Sequence, residues 1–424
     1  MDIVIFLLAF ALLGGLVSYF ALLIVGQART SALTVRCAEL ERTALQARIQ
    51  QIQEQGRFEQ ARHELSWNGF RKFQIVRKIP ESRDICSFYL APHDGKALPP
   101  FLPGQYLTFQ LAIDSKPVVR CYSLSDSPNH PDYYRVTIKR VPAPKDPPGI
   151  SPGLVSGYFH DQLKVGDIVD VKAPTGHFTL DLTAQTPVVL IAGGVGITPM
   201  LCMLNTAIEA RSRREIWFFY GLRNRIEHIM KEHLEQIARE HPNVHLQVCY
   251  SDPGSDDSQG RDYHQGERVS VDLLKRLLPS SNYKFFICGP PPMMDQLLKD
   301  LNAWGVPEGD VAIEAFGPKT VKRVAANIEG GAAVKPPEAT IEVTFAKSGK
   351  SFPWNGGGVS LLEFAEQHGI SSISFGCRAG NCGTCLTAVK QGEVDYLVEQ
   401  GAKPEAGSCL ACIAVPKTNV VLDA

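Results

Sequence analysis

The chain opens on one long apolar run and then breaks into short segments whose hydrophobic period changes twice. From Ile3 to Val25 the 23 residues IVIFLLAFALLGGLVSYFALLIV carry no charge. At about 1.5 Å per helical residue such a run matches the ~30 Å hydrocarbon core of a bilayer, so residues 1–26 are expected to form a transmembrane anchor. A cleaved signal peptide is the competing reading, but no basic segment precedes the run and it exceeds the usual apolar core of such a peptide. Arg29, Arg36 and Arg42 follow the run while only Asp2 precedes it, which by the positive-inside rule puts the rest of the chain in the cytoplasm. Residues 27–66 are rich in Ala, Glu, Gln, Arg and Leu, with Leu33, Leu40, Ala47, Ile49 and Ile52 permitting an amphipathic helix. They read as a helical stalk interrupted at Gly56, too irregular in its heptads to establish a coiled-coil dimer.

Past residue 67 the pattern turns to strands. The runs FQIVRKI, ICSFYL, YLTFQLAI, YRVTIKR and DIVDVKAP, separated by Pro, Gly and Asp turns, predict an antiparallel barrel over residues 67–185. Next, PVVLIAGGVGITPM begins as a buried parallel strand and turns through Gly193, Gly194 and Gly196. Thr198 then serves as an expected N-cap and Pro199 as the first helical residue. Glycines there would let a pyrophosphate approach the helix N-terminus. IWFFYGLRN, VHLQVCYSDP and YKFFICGPPPMM follow with helical segments between them, so residues 186–325 are expected to build a parallel α/β sheet. Residues 326–338, rich in Ala, Gly and Pro, read as a linker. Residues 339–424 begin with a hairpin and a short helix, SLLEFAEQHGI.

Composition narrows the partners. Hydrophobic residues at 44% supply several cores, and 43 basic against 44 acidic residues leave a net charge of -1, so no global field attracts nucleic acid. Five of the eleven cysteines crowd into residues 377–412, which in a reducing compartment reads as metal rather than disulfide. Cys377, Cys382 and Cys385 have the C-x4-C-x2-C spacing of plant-type [2Fe–2S] centres, within a glycine-rich loop. A zinc site is the alternative, but it would pair two short knuckles. In GSCLACIAVP, Cys409 and Cys412 lie three apart and, if extended, face opposite sides, so both cannot reach one cluster.

Taken together, PGQYLTF (Pro103–Phe109), RCYSLS (Arg120–Ser125), VTIKR (Val136–Arg140), GLVSGYFH (Gly153–His160) and APTGHF (Ala173–Phe178) resemble the ferredoxin-NADP reductase superfamily. The likeness is greatest to the reductase half of flavohaemoglobins and to the reductases of multicomponent oxygenases. Residues 339–424 resemble a β-grasp ferredoxin. The resemblance implies Arg120 on a flavin phosphate, Tyr122 on the isoalloxazine and Ser123 near its N5. It also implies flavin contacts from Tyr106, from the strand Thr137, Ile138 and Lys139, and from Ser156 at a helix N-terminus. Cys288, Gly289 and Pro290 would border the nicotinamide, with Glu314 and Phe316 at the flavin. Ser123, Cys288 and Glu314 are thus the expected catalytic residues, and Cys412, which precedes an apolar pair and a proline, the fourth cluster ligand. FAD is expected, with FMN the alternative because related oxygenase reductases use it with a similar arginine motif. The Pro-rich segment Val141–Gly153 is a departure, longer than the link expected there. Where NADPH-specific relatives follow a serine with arginine, Ser251 is followed by Asp252. A carboxylate repels a 2′-phosphate, so NADH is expected, although Arg261 is nearby.

The expected architecture is multidomain: an N-terminal transmembrane helix, an antiparallel β-barrel flavin domain, an α/β parallel-sheet nicotinamide domain and a β-grasp ferredoxin domain. The expected function is a membrane-anchored reductase passing electrons from NADH through FAD and a [2Fe–2S] cluster to a partner protein. That partner would be an oxygenase, hydroxylase or desaturase at the membrane. A redox-sensing or assembly subunit of a membrane complex is the other reading. Nitric-oxide dioxygenation is not expected, since residues 1–66 are too short and too hydrophobic for a haem-bearing globin.

Overall fold

The computed structural model describes the chain apart from residues 1, 144–151, 317–340, 355, 357–358, 377, 379, 381–382 and 398–403, and apart from some side chains of the first helix. The predicted linker, Cys377 and Cys382 therefore lie outside the described residues, as does most of the Pro-rich segment.

The chain divides into two compact units, Met1–Glu64 and Leu65–Ala424. In the first, α1 (Asp2–Leu65) is one helix of 64 residues. The membrane anchor is corrected here: among the described residues no helix is long and apolar enough to cross a membrane. The same helix then continues into polar sequence without a stop. Gly56 does not interrupt it, because an exposed glycine costs only about 1 kcal/mol and its neighbours are braced by Gln50–Glu54 and Gln60–Glu64 hydrogen bonds at 2.9 and 2.7 Å.

The second unit begins with the barrel. Strands β1 (Arg71–Ser82), β2 (Ile85–Pro92), β3 (Tyr106–Ile113), β4 (Lys116–Ser123) and β5 (Tyr134–Lys139), helix α2 (Leu154–Asp161) and strand β6 (Ile168–Thr175) supply a sheet in the order β4-β3-β6-β1-β2-β5. Every pairing is antiparallel. Inward residues such as Phe73, Phe88, Phe109, Val136 and Phe159 fill its core.

The α/β module follows as β7 (Val188–Gly193), α3 (Ile197–Glu209), β8 (Ile216–Leu222), α4 (Lys231–Glu240), β9 (Val244–Tyr250), α5 (Val271–Leu277), β10 (Lys284–Gly289), α6 (Pro291–Ala303) and β11 (Val311–Ala315). Its sheet, β11-β10-β7-β8-β9, is wholly parallel. The β7 strand is all apolar apart from its closing glycine and buried throughout, as covering helices on both faces require. Strand order reverses between β7 and β10, and in such sheets the crevice at the carboxyl ends of the reversing strands receives ligands.

In the last module β12 (Ile341–Phe345), β13 (Lys350–Trp354), α7 (Leu361–Gln367), β14 (Leu386–Gln391), β15 (Val394–Tyr396), β16 (Ser408–Leu410), β17 (Ala414–Pro416) and β18 (Val420–Leu422) form a mixed sheet, β13-β12-β18-β14-β16, and a small β15-β17 ribbon. A reciprocal capping box between Ser360 and Glu363 starts α7.

A polar latch joins barrel to α/β module. Asp126, just after β4, accepts from Asn205 of α3 at 3.1 Å and from Tyr133 at 3.2 Å, and pairs with Arg135 at 3.3 Å. Glu209 accepts from Asn129 at 2.9 Å and from Ser127. Asp126 and Arg135 side chains are only 10% and 9% exposed, so removing one strands the other. Asp126→Ala should cost about 3 kcal/mol or more, read as a lower guanidinium midpoint by tryptophan fluorescence.

Candidate functional site

The site forms where β4 meets the carboxyl ends of β10 and β11. Ser123, last residue of β4 and buried, donates from Oγ to Glu314 Oε2 at 2.9 Å. Parallel register sets Glu314 beside Cys288, and Cys288 beside Ala192 of β7. The three expected catalytic residues thus converge from two modules. Cys288 is fully buried, and burial, then the charge of Glu314, pushes its thiol well above the ordinary range. It is a neutral wall rather than a thiolate nucleophile.

The glycine turn explains how β10 comes so near. After β7 the chain makes a single 3-10 turn, Gly194–Gly196, and α3 begins at Ile197. Thr198 and Pro199 are therefore the second and third helical residues, two places further into the helix than expected. Thr198 Oγ1 donates back to Val195 O at 3.2 Å instead of capping. The glycines have separate jobs. A Cβ on Gly196 would lie 2.1 Å from the Cys288 carbonyl oxygen, so its bareness serves packing. Gly194 has φ +54° and nothing within 4 Å of a Cβ, which leaves room for a ligand at the start of α3. Gly289 packs on Gly193, and Pro290 precedes α6 at the surface.

On the barrel, Tyr106 and Ser123 are paired in register across β3 and β4. Tyr122 packs edge-on against Phe109 and Phe159, with centroids 5.8 and 5.4 Å apart, and burial raises its pKa despite Arg120 beside it. Arg120 donates to Val119 O at 2.7 Å and lays its guanidinium over Phe375 of the last module at 4.8 Å. Tyr106, Arg120, Tyr122 and Ser123, the residues expected to contact flavin, are therefore gathered on two adjacent strands. Thr137 and Ile138 turn inward: Thr137 shares hydroxyl bonds of 2.8 Å with Ser87 and Ser125, and Ile138 is core. Lys139 instead reaches Glu227 at 3.6 Å. Ser156, third residue of α2, donates to Gly153 O at 3.0 Å and accepts from Val141 N at 3.2 Å. Gly153 N donates to Val141 O at 2.9 Å, so the ends of the Pro-rich excursion are tied together.

Asp252 is exposed beyond β9, its N–H bound to Arg223 O at 2.9 Å. Two of the neighbouring cations are engaged. Arg261 donates to Asp262 at 2.8 Å and to Asp256 O at 3.1 Å, and Arg225 pairs with Asp257 at 3.6 Å. Hydrogen bonds from Arg261 and then Lys231 hold the Asp262 carboxyl well below its usual range. Phe316, half-buried, packs against the α/β core.

In the cluster loop, Cys385 Sγ and Cys412 Sγ are 3.1 Å apart, and Gly380 N donates to Cys412 Sγ at 3.3 Å. Such paired sulfurs with an N–H aimed at one of them fit a thiolate-held cluster. Cys409 belongs to β16, opposite Thr387 of β14, wholly buried, and burial pushes its thiol up to about 12. The strand ends at Leu410, so a turn rather than strand alternation separates the two cysteines. Two features were not anticipated. The Asp126 latch had a signal, three polar residues after RCYSL where barrel sequence should stay apolar; Phe375 had none beyond proximity to Cys377.

A barrel, a parallel nucleotide-type sheet and a cysteine-loop module joined at one strand define a flavin- and iron–sulfur-dependent oxidoreductase. The chain belongs to the ferredoxin-NADP reductase superfamily, with a C-terminal [2Fe–2S] ferredoxin domain. Its residues 72–180 match the oxidoreductase FAD-binding domain, 190–299 the oxidoreductase NAD-binding domain and 343–417 the 2Fe-2S iron-sulfur cluster binding domain. It is 40% identical over 264 residues to a flavohemoprotein of Bacillus thuringiensis subsp. konkukian, covering 62% of this chain and 64% of that one. A flavohemoprotein of Bordetella pertussis is 41% identical over 255 residues, 59% of this chain and 61% of that one. The chain thus spans under two thirds of these relatives. Among solved structures, the flavohem-like FAD/NAD binding domain of nitric oxide dioxygenase from Vibrio cholerae O1 biovar El Tor is 33% identical with TM-score 0.52, covering 59% of this chain and 100% of that one. Phthalate dioxygenase reductase is 26% identical with TM-score 0.51, covering 84% of this chain and 98% of that one.

Cys412→Ser should abolish the visible absorption of a reconstituted cluster while Cys409→Ser retains it. Gly196→Ala should destabilise the α/β module by about 2 kcal/mol or more, seen as faster hydrogen exchange in β7 and β10.

Proposed function

We propose that the chain is an NADH-dependent reductase passing electrons through FAD and a [2Fe–2S] cluster to a separate electron-accepting protein of the oxygenase, hydroxylase or desaturase type. The observation that carries this reading is the sharing of β4: its Ser123 binds Glu314 of the α/β module and its Arg120 stacks on Phe375 of the cysteine-loop module. Three residues of strand, about 10 Å, separate the two contacts. Bound FAD would take a hydride from NADH, two electrons together, and release them singly to a cluster that accepts one at a time.

The chain's own residues have distinct duties in this reading. Ser123 donates its hydroxyl proton to Glu314 at 2.9 Å, and the pair could hold a proton beside a bound flavin. Cys288 keeps water and charge from the nicotinamide side. Arg120 offers a planar fork to phosphate oxygens. Cys377, Cys382, Cys385 and Cys412 would hold the cluster. NADH is favoured because Asp252 would repel a 2′-phosphate, while Arg261 and Arg225 are already paired with carboxylates. The oxygenase-type acceptor draws support from phthalate dioxygenase reductase, described as a modular structure for electron transfer from pyridine nucleotides to [2Fe–2S]. A cytoplasmic setting suits the reduced thiols at Cys86, Cys121, Cys202, Cys249 and Cys288.

Reconstituted protein should turn over ferricyanide with NADH, with kcat/KM at least tenfold above that for NADPH; equal or better use of NADPH overturns the NADH assignment. Cys382→Ser should spare ferricyanide reduction and abolish reduction of a cytochrome-type acceptor. If both activities survive, the cluster is not the exit.

A further inference from the structure

Phe375 is held between two cations. Arg120 of β4 lies over its ring at 4.8 Å, and Arg378 covers it at 3.9 Å. Arg378 is fixed in turn: Nη1 donates to Glu366 Oε2 at 2.9 Å, Nη2 pairs with Oε1 of the same carboxylate, and its backbone takes a left-handed φ of +54°. Bringing two guanidinium groups onto one side chain is unfavourable unless their repulsion is offset. The electron-rich ring faces and the Glu366 carboxylate offset it here. Half-burial of Arg120, which with the charge of Arg378 lowers its pKa, indicates a contact partly withdrawn from water. A guanidinium can stack through its face while its edge still donates to phosphate, so contact with Phe375 leaves Arg120 able to serve a flavin. Phe375 also lies two residues before Cys377, which ties its ring to the start of the cluster loop.

We infer that Phe375 is a positioning residue for electron exit: by filling the slot between Arg120 and Arg378 it seats the cluster loop on the flavin-bearing strand β4. The inference rests on the proposed reductase function. It assigns the docking of the ferredoxin module to an aromatic–guanidinium stack rather than to the covalent linker alone.

The test uses full-length holoprotein. In stopped flow, NADH should bleach the flavin of F375L and F375A at the wild-type rate and ferricyanide turnover should be unchanged, while bleaching of the cluster slows at least tenfold. F375Y, which keeps the ring, should restore cluster reduction to within twofold. Hydrogen exchange should rise across Lys116–Ser123 in F375L and not in F375Y, and the cluster's electron paramagnetic resonance spectrum should stay unchanged in all three. Wild-type cluster bleaching in F375L, or unaltered exchange in β4, overturns the inference. So does loss of cluster absorption in both F375L and F375A, which would make the ring part of the cluster's own fold. Failure of NADH to reduce the wild-type flavin would instead overturn the reductase reading.

Discussion

Strand β4 pairs along its length with β3 and stands at the end of the barrel sheet, and this edge position is the constraint on which the rest of the site depends. An unpaired edge is ordinarily something a protein must shield. Here neighbouring modules each reach a different side chain of the same strand. Because β4 is locked to β3 over eight residue pairs, it cannot slide to satisfy one neighbour at the expense of another. Geometry at the nicotinamide side and at the cluster side is consequently referenced to a common rigid element.

Alongside the apolar packing of Ile85, Phe178 and Leu180 in the α/β core, polar groups with few alternatives hold the parallel sheet to the barrel. At the barrel's rim Asp126 is satisfied by Asn205 and Arg135 and Glu209 by Ser127 and Asn129, and Ser123 and Glu314 satisfy each other at the site. Buried polar partners are unforgiving of displacement, so they specify one orientation where a greasy surface would accept several. The Gly196–Cys288 approach extends this precision to the edge of the sheet, since the turn after β7 can close on the end of β10 to that distance only where a side chain is missing.

What the sequence made legible was local. A period of two marked the barrel strands, buried apolar runs marked the parallel sheet, and C-x4-C-x2-C marked the cluster loop, since each reflects chemistry within a few residues. The start of α3 was displaced by two residues because two constraints compete at that turn: Thr198 is a good cap by type, but Gly196 must meet the Cys288 carbonyl, and the tight turn this demands draws Ile197 into the helix. The membrane-span expectation for α1 rested on a local apolar run, and among the described residues no helix is long and apolar enough to cross a membrane. The Ser123–Glu314 bond joins residues 191 positions apart, and no periodicity reports on such a pair. Phe375 was invisible for the converse reason, since an aromatic residue beside a cysteine loop looks like ordinary packing until its two cations are seen.

The tie between Val141 and Gly153 bears on how such a chain can diversify. Because the two ends of the excursion are hydrogen-bonded to each other and to Ser156, the barrel registers only that the loop is closed. Doubling the length of a connection between two tied ends adds only about 0.6 kcal/mol of closure entropy. The segment is therefore a port through which lineages can lengthen, shorten or rewrite sequence while the frame that carries the chemistry keeps its register.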